Sequence, residues 1–174
     1  GYRNGIKSTD DCIIVSGTLN ITSTEDGIIG KDLCGIVAGD ININAGSDGV
    51  KSTYDTDTTK GNVIIEGGNI TIKASNDGIQ AENILVINDG TINIKTNNGA
   101  ADTTQTHIDN MDMGRGGFGF NNNKTTTTTD DTSESRKGIK AGNMLIINDG
   151  DITIDSDDDS VHCNSVIYIY MVVL

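Results

Sequence analysis

Apolar residues in this chain fall into short runs, and the runs themselves recur at a fixed spacing. Three kinds of run repeat. The first is Gly-Ile/Val followed by a polar and a small residue: Gly5-Ile6-Lys7-Ser8, Gly49-Val50-Lys51-Ser52, Gly78-Ile79-Gln80-Ala81 and Gly138-Ile139-Lys140-Ala141. The second is an apolar strand ahead of a turn: Val63-Ile64-Ile65, Leu85-Val86-Ile87 and Leu145-Ile146-Ile147. The third follows the turn: Leu19-Asn20-Ile21, Ile41-Asn42-Ile43, Ile70-Thr71-Ile72, Ile92-Asn93-Ile94 and Ile152-Thr153-Ile154. Inside–outside alternation with period two predicts strands. The dominance of β-branched Ile and Val agrees with that. Gly67-Gly68, Asn88-Asp89-Gly90 and Asn148-Asp149-Gly150 supply the turns.

The run starts lie at Gly5, Gly27, Gly49, Gly78, Gly138 and, imperfectly, Ser160, with 22 residues as the recurring interval. Asn-Asp-Gly between alternating runs also suits the hairpins of an antiparallel sandwich. Like residues at like positions every 22 residues instead indicate a repeat that buries its apolar face only by stacking on its neighbours. The expected fold is all-β: a right-handed, single-stranded parallel β-helix, a three-sided solenoid of about five coils plus a partial sixth. The chain 1–174 reads as one domain with insertions at 53–60 and 99–137. The composition of the second insertion predicts a flexible loop. It carries Phe118 and Phe120, the only two Phe of the chain, which suit stacking on a sugar ring.

Composition narrows the partners. A formal charge of −13 opposes nucleic acid and favours cations or cationic partners. No apolar run approaches the roughly 20 residues of a membrane span. The chain opens inside a coil, so the pattern predicts that residues precede it. Its apolar end, 166–174, starts as a strand without reaching a turn or a cap. That end reads as truncated or frame-disrupted, exposed, and prone to end-to-end self-association. Cys12 and Cys34 each lie seven residues after a coil start, hence in one inward column of strands about 4.8 Å apart. They are either two stacked thiols or a disulfide. Cys163 has no partner in register.

The turn before each coil start carries acid: Glu25-Asp26, Ser47-Asp48, Asn76-Asp77 and Asp158-Asp159, with Lys137 breaking the series. Aspartates stacked one per coil repel one another. Asp is also a local turn-former, and a hard cation such as Ca²⁺ is the alternative answer to the repulsion. The candidate metal ligands are therefore Asp26, Asp48, Asp77, Asp158 and Asp159, the last two within the acidic cluster of Asp155 to Asp159. Two positions after each coil start an outward residue lies beside this column, and Ile29 interrupts the set. Lys7, Lys51, Gln80, Lys140 and His162 are the candidate ligand contacts, suited to an acidic polysaccharide. The bland alternative is that the lysines neutralise the aspartates. A second outward column, Asn20, Asn42, Thr71, Asn93 and Thr153, suits either a self-bonded ladder or sugar hydroxyls. Three Asn-x-Ser/Thr sequons, at Asn20, Asn69 and Asn123, carry little weight in so Asn/Thr-rich a chain.

Asp77-Gly78-Ile79-Gln80-Ala81 together with Asn88-Asp89-Gly90-Thr91-Ile92-Asn93-Ile94, and nearly as well 138–154, resemble the carbohydrate-binding β-helix family of secreted clostridial proteins. Its founding member is described as binding cellulose and acid sugars and as related in fold to pectate lyases. The resemblance implies an extracellular protein that binds plant cell-wall polysaccharide, acidic polygalacturonate above all and also cellulose, with Ca²⁺ assisting. Asp26, Asp48, Asp77 and Asp159 match the family's Asp-Gly-Ile turns. Lys137 and Ser160 depart from them. Non-catalytic binding is the expected function. Its rivals are a structural or adhesive solenoid stiffened by Ca²⁺, and a polysaccharide lyase using Lys51 or Lys140 as base beside Asp48 or Asp159. An ice-binding role would need a more regular Thr array than this one.

Overall fold

In a computed structural model, residues 3–97, 99 and 135–170 are described. Among them every regular element is a strand. The first coil holds β1 (Ile6–Ser8), β2 (Asp11–Ile14) and β3 (Thr18–Ser23). The second holds β4 (Ile28–Gly30), β5 (Leu33–Ile36) and β6 (Asp40–Ala45), and the third β7 (Val50–Ser52), β8 (Asn62–Ile65) and β9 (Asn69–Ala74). The fourth holds β10 (Ile79–Ala81), β11 (Ile84–Ile87) and β12 (Thr91–Thr96), and the fifth β13 (Ile139–Ala141), β14 (Met144–Ile147) and β15 (Asp151–Asp155). The sixth adds β16 (Val161–Cys163) and β17 (Val166–Ile169).

Each strand pairs in parallel with its counterparts one coil away. Sheet A is β1-β4-β7-β10-β13-β16, sheet B is β2-β5-β8-β11-β14-β17, and sheet C is β3-β6-β9-β12-β15. This is the three-sided parallel β-helix that the repeat predicts. Like residues stack: Leu19, Ile41, Ile70, Ile92 and Ile152 form one inward column of sheet C, and Ile41, Ile70 and Ile92 are at most 1% exposed. The core is a narrow stack of Ile, Val and Leu between three sheets, which explains how so few apolar residues suffice.

The coil-start glycines have a steric cause. A Cβ on Gly78 would lie 2.6 Å from the Gly138 carbonyl oxygen and would strike the Ile94 side chain. Gly5, Gly27, Gly49 and Gly138 meet the same crowding from the next coil. Ser160, the exception, heads the last described coil, where no further described coil presses on it.

Cys12 and Cys34 pair in register as two buried free thiols. The Cys34 thiol donates to the Cys12 sulfur and lowers the Cys12 pKa to about 7 despite opposing burial. Cys34 is held well above its ordinary value by the same bond and by burial. Strand β17 continues sheet B, with Tyr168 opposite Ile146 and its ring stacked on Tyr170. Phe118, Phe120, the Asn123 sequon and the last four residues lie outside the described residues.

Inside–outside alternation of burial holds in sheet C and equally in β8, β11 and β14 of sheet B. What differs is the outward chemistry of sheet B. There the outward positions Ile13, Ile64, Val86 and Ile146 are apolar as well, and half-buried or exposed. Continuous apolar runs of this kind are typical of parallel strands covered on both faces.

Candidate functional site

The acidic turns form a ladder at the corner where sheet C hands over to sheet A. The Asp26 N–H donates to Asn4 Oδ1 at 3.2 Å, and the Asp48 N–H to Asp26 Oδ1 at 3.1 Å. One coil on, the Asp77 N–H donates to Asp48 Oδ1 at 3.0 Å, and the Lys137 N–H to Asp77 Oδ1 at 2.7 Å. Each carboxylate thus satisfies a backbone donor of the following coil. Lys137 continues the column through its backbone alone.

The outward column of sheet A runs Lys7, Ile29, Lys51, Gln80, Lys140, His162 in register, as the spacing predicts. Most of its polar members turn back onto the ladder. Lys51 Nζ lies 2.5 Å from Asp48 Oδ2 and Lys140 Nζ 3.4 Å from Asp77 Oδ2. His162 Nδ1 lies 3.0 Å from Asp159 Oδ2. Gln80 donates to Glu82, and Lys7 is exposed on the first coil.

Burial raises the Asp48 pKa, with Lys51 opposing and Asp77 and Asp26 adding to it. For Lys51, burial pulls downward. Asp48, helped by Asp26 and Glu82, outweighs it, so the ammonium is held above its ordinary pKa. Lys137 is likewise raised: burial opposes, and Asp158, Asp159 and Asp77 prevail.

Ca²⁺ takes six to eight oxygens at about 2.3–2.6 Å. Asp48 and Asp77 each give one oxygen to a backbone N–H and the other to a lysine. The C-terminal acids are taken up by side chains of other residues: Asp155 by Lys95, Asp157 by Arg136, and Asp158 and Asp159 by Lys137, with Asp159 also against the His162 ring. Among the described residues no three His, Cys, Asp or Glu side chains gather around one point. The residues as placed do not fit a Ca²⁺ cage.

Sheet C presents a different surface. Its outward residues form three columns, of which the central one is Asn20, Asn42, Thr71, Asn93 and Thr153. Beside it run Thr22, Asn44, Lys73, Lys95 and Asp155. Between these two columns lies an open groove of about 320 Å³, lined chiefly by Asn20, Thr22, Asn42, Asn44, Thr71 and Lys73. Asn42 donates to Asn20 Oδ1 at a long 3.3 Å, so the amide ladder is only loosely self-bonded. Lys95 pairs with Asp155 at 2.8 Å, whereas Lys73 has no carboxylate partner among the described residues.

Sequence reasoning found the central column but not Thr22, Asn44 and Lys73. The signal was present: each lies two residues beyond a central-column member, on the same strand face.

The fold is a three-sided parallel solenoid whose sheet C presents a polar outward face. The chain belongs to the family of carbohydrate-binding domain-containing proteins, whose model matches residues 1–171. Comparisons with curated proteins and with solved structures returned no match.

Proposed function

We propose that the protein binds an acidic polysaccharide such as polygalacturonate on the outward face of sheet C, without altering it. The observation that carries this reading is the groove of amides and hydroxyls with Lys73 at one end, an ammonium lacking a carboxylate partner among the described residues. Amides and hydroxyls complement sugar hydroxyls, and an unpaired ammonium complements a uronate carboxylate. In this reading Lys51, Lys140 and His162 of the sheet A column serve the aspartates beside them, and sheet C carries the ligand.

Lyase chemistry is disfavoured by the same ladder. A lysine acting as base must lose its proton near the working pH. Lys51 is instead held protonated by Asp48, and Lys140 sits against Asp77, which is 1% exposed. A polymer of the plant cell wall is met outside the cell, so the reading carries with it a secreted or surface location.

Affinity gel electrophoresis through polygalacturonate tests the proposal. The folded protein should be retarded, with or without chelator, and Lys73→Ala should lose about tenfold in affinity. Free migration of a folded protein would end this reading. Retardation abolished by chelator would place a cation at the contact.

A further inference from the structure

We infer that the glycan lies parallel to the solenoid axis, advancing one sugar residue per coil; this rests on the assignment of the glycan to sheet C. The groove itself sets the direction. Its lining takes two side chains from each of β3, β6 and β9: Asn20 and Thr22, Asn42 and Asn44, Thr71 and Lys73. Successive coils lie about 4.8 Å apart, so three rungs extend about 10 Å along the axis, whereas the two columns stand only about 6.7 Å apart. The groove is therefore longer along the axis than across it, and its walls are the columns.

Repetition agrees with this direction. A chain running along the axis meets an amide or a hydroxyl of the central column at every coil, from Asn20 through Thr153, all in register. A chain running across meets three outward residues of a single strand and then leaves the sheet. On β9 those three are Asn69, Thr71 and Lys73, each of different chemistry. The coil spacing is also close to the advance of one pyranose residue in an extended 1,4-linked chain. The ladder thus favours linear, extended polymers over compact, branched or 1,6-linked ones. The groove proper spans three rungs. Asn93 and Thr153 continue the central column beyond it, while in the flanking column the Lys95–Asp155 ion pair takes over from Lys73.

The consequence is a dependence on ligand length. Calorimetric titration of the full chain with galacturonic acid and its linear oligomers of up to six residues reads it directly. Affinity should rise by at least about tenfold from monomer to trimer and level off by the pentamer. Asn42→Ala, at the middle rung, should flatten the rise beyond the dimer. Asn69→Ala, in the column outside the groove, should leave it intact. Binding of polymer with an affinity already reached by the monomer or dimer would overturn the axial arrangement while leaving glycan binding in place. Equal losses in Asn42→Ala and Asn69→Ala would overturn it too. Absence of binding to polymer and oligomers alike would remove the sheet C assignment and this inference together.

Discussion

Along the same stack of coils, the outward column of sheet B reads Ile13, Gly35, Ile64, Val86, Ile146 and Tyr168, while that of sheet C reads Asn20, Asn42, Thr71, Asn93 and Thr153. The inward columns of the two sheets are interchangeable in chemistry. Val63, Leu85 and Leu145 of sheet B are buried as fully as Ile41, Ile70 and Ile92 of sheet C. Stacking constrains the interior and the corners, and leaves the exterior of each sheet free to diverge. A parallel β-helix therefore announces its fold through inward columns and corner glycines. Its ligand face must be sought in the outward columns, one sheet at a time.

The largest expected effect tests the shared interior. Leu85 and Ile92, one from each sheet of the fourth coil, are both fully buried. Leu85→Ala and Ile92→Ala should each cost about 2–5 kcal/mol, measured by urea denaturation. A loss confined to one of the two would mean that the sheets do not close on a common core.

Next comes an exchange of the two exteriors. Thr71→Val keeps the β-branched shape and removes a hydroxyl from the groove wall. It should lower affinity for polygalacturonate several-fold while leaving stability within about 0.5 kcal/mol. Val86→Thr makes the reciprocal change on sheet B. It should leave affinity unchanged and reduce stability by up to about 1 kcal/mol, because Val86 is half-buried. If the Val86 variant loses binding and the Thr71 variant keeps it, the ligand face is sheet B.

This contrast marks how far the sequence could be read. The 22-residue interval, the Asp-Gly turns and the alternating strands were enough for the architecture, because stacking forces like residues into columns. They also placed the sheet A column correctly, with Lys51, Gln80, Lys140 and His162 in register. What the pattern did not disclose is where those side chains lead. The Asp48–Lys51 pair is local to one turn, but Lys140 reaches back one coil to Asp77, and Lys137 reaches forward to Asp158 and Asp159. Whether a lysine neutralises its neighbours or awaits a ligand depends on such cross-coil distances. Spacing singles out Lys51 and passes over Lys73; three-dimensional partnering separates them the other way, with Lys51 held by Asp48.

That separation has a pH signature. The Lys51 pKa is raised in the folded state, so its contribution to stability is complete below its unfolded value, near 10.5, and is lost as pH climbs through the folded value. Thermal melts at increasing alkalinity should show wild-type stability falling above about pH 10.5, with a shallower fall in Lys51→Gln. Identical slopes for the two proteins would show that the Asp48–Lys51 pair contributes nothing measurable.

The smallest effect concerns the inverse of sheet B, a polar side chain turned inward. Ser52 is fully buried at the third position of β7, and its hydroxyl has no hydrogen-bond partner among the described residues. The equivalent positions in the fourth and fifth coils are Ala81 and Ala141, so the cavity already accepts a methyl group. Leaving a buried hydroxyl unsatisfied carries a desolvation penalty that alanine does not. Ser52→Ala should therefore stabilise the protein by up to about 1 kcal/mol, seen as a higher urea midpoint with an unchanged denaturant slope. A lower midpoint would mean that the hydroxyl has a partner, such as a buried water between the coils. In that case the inner face of sheet A tolerates polarity because the hydroxyl is satisfied there.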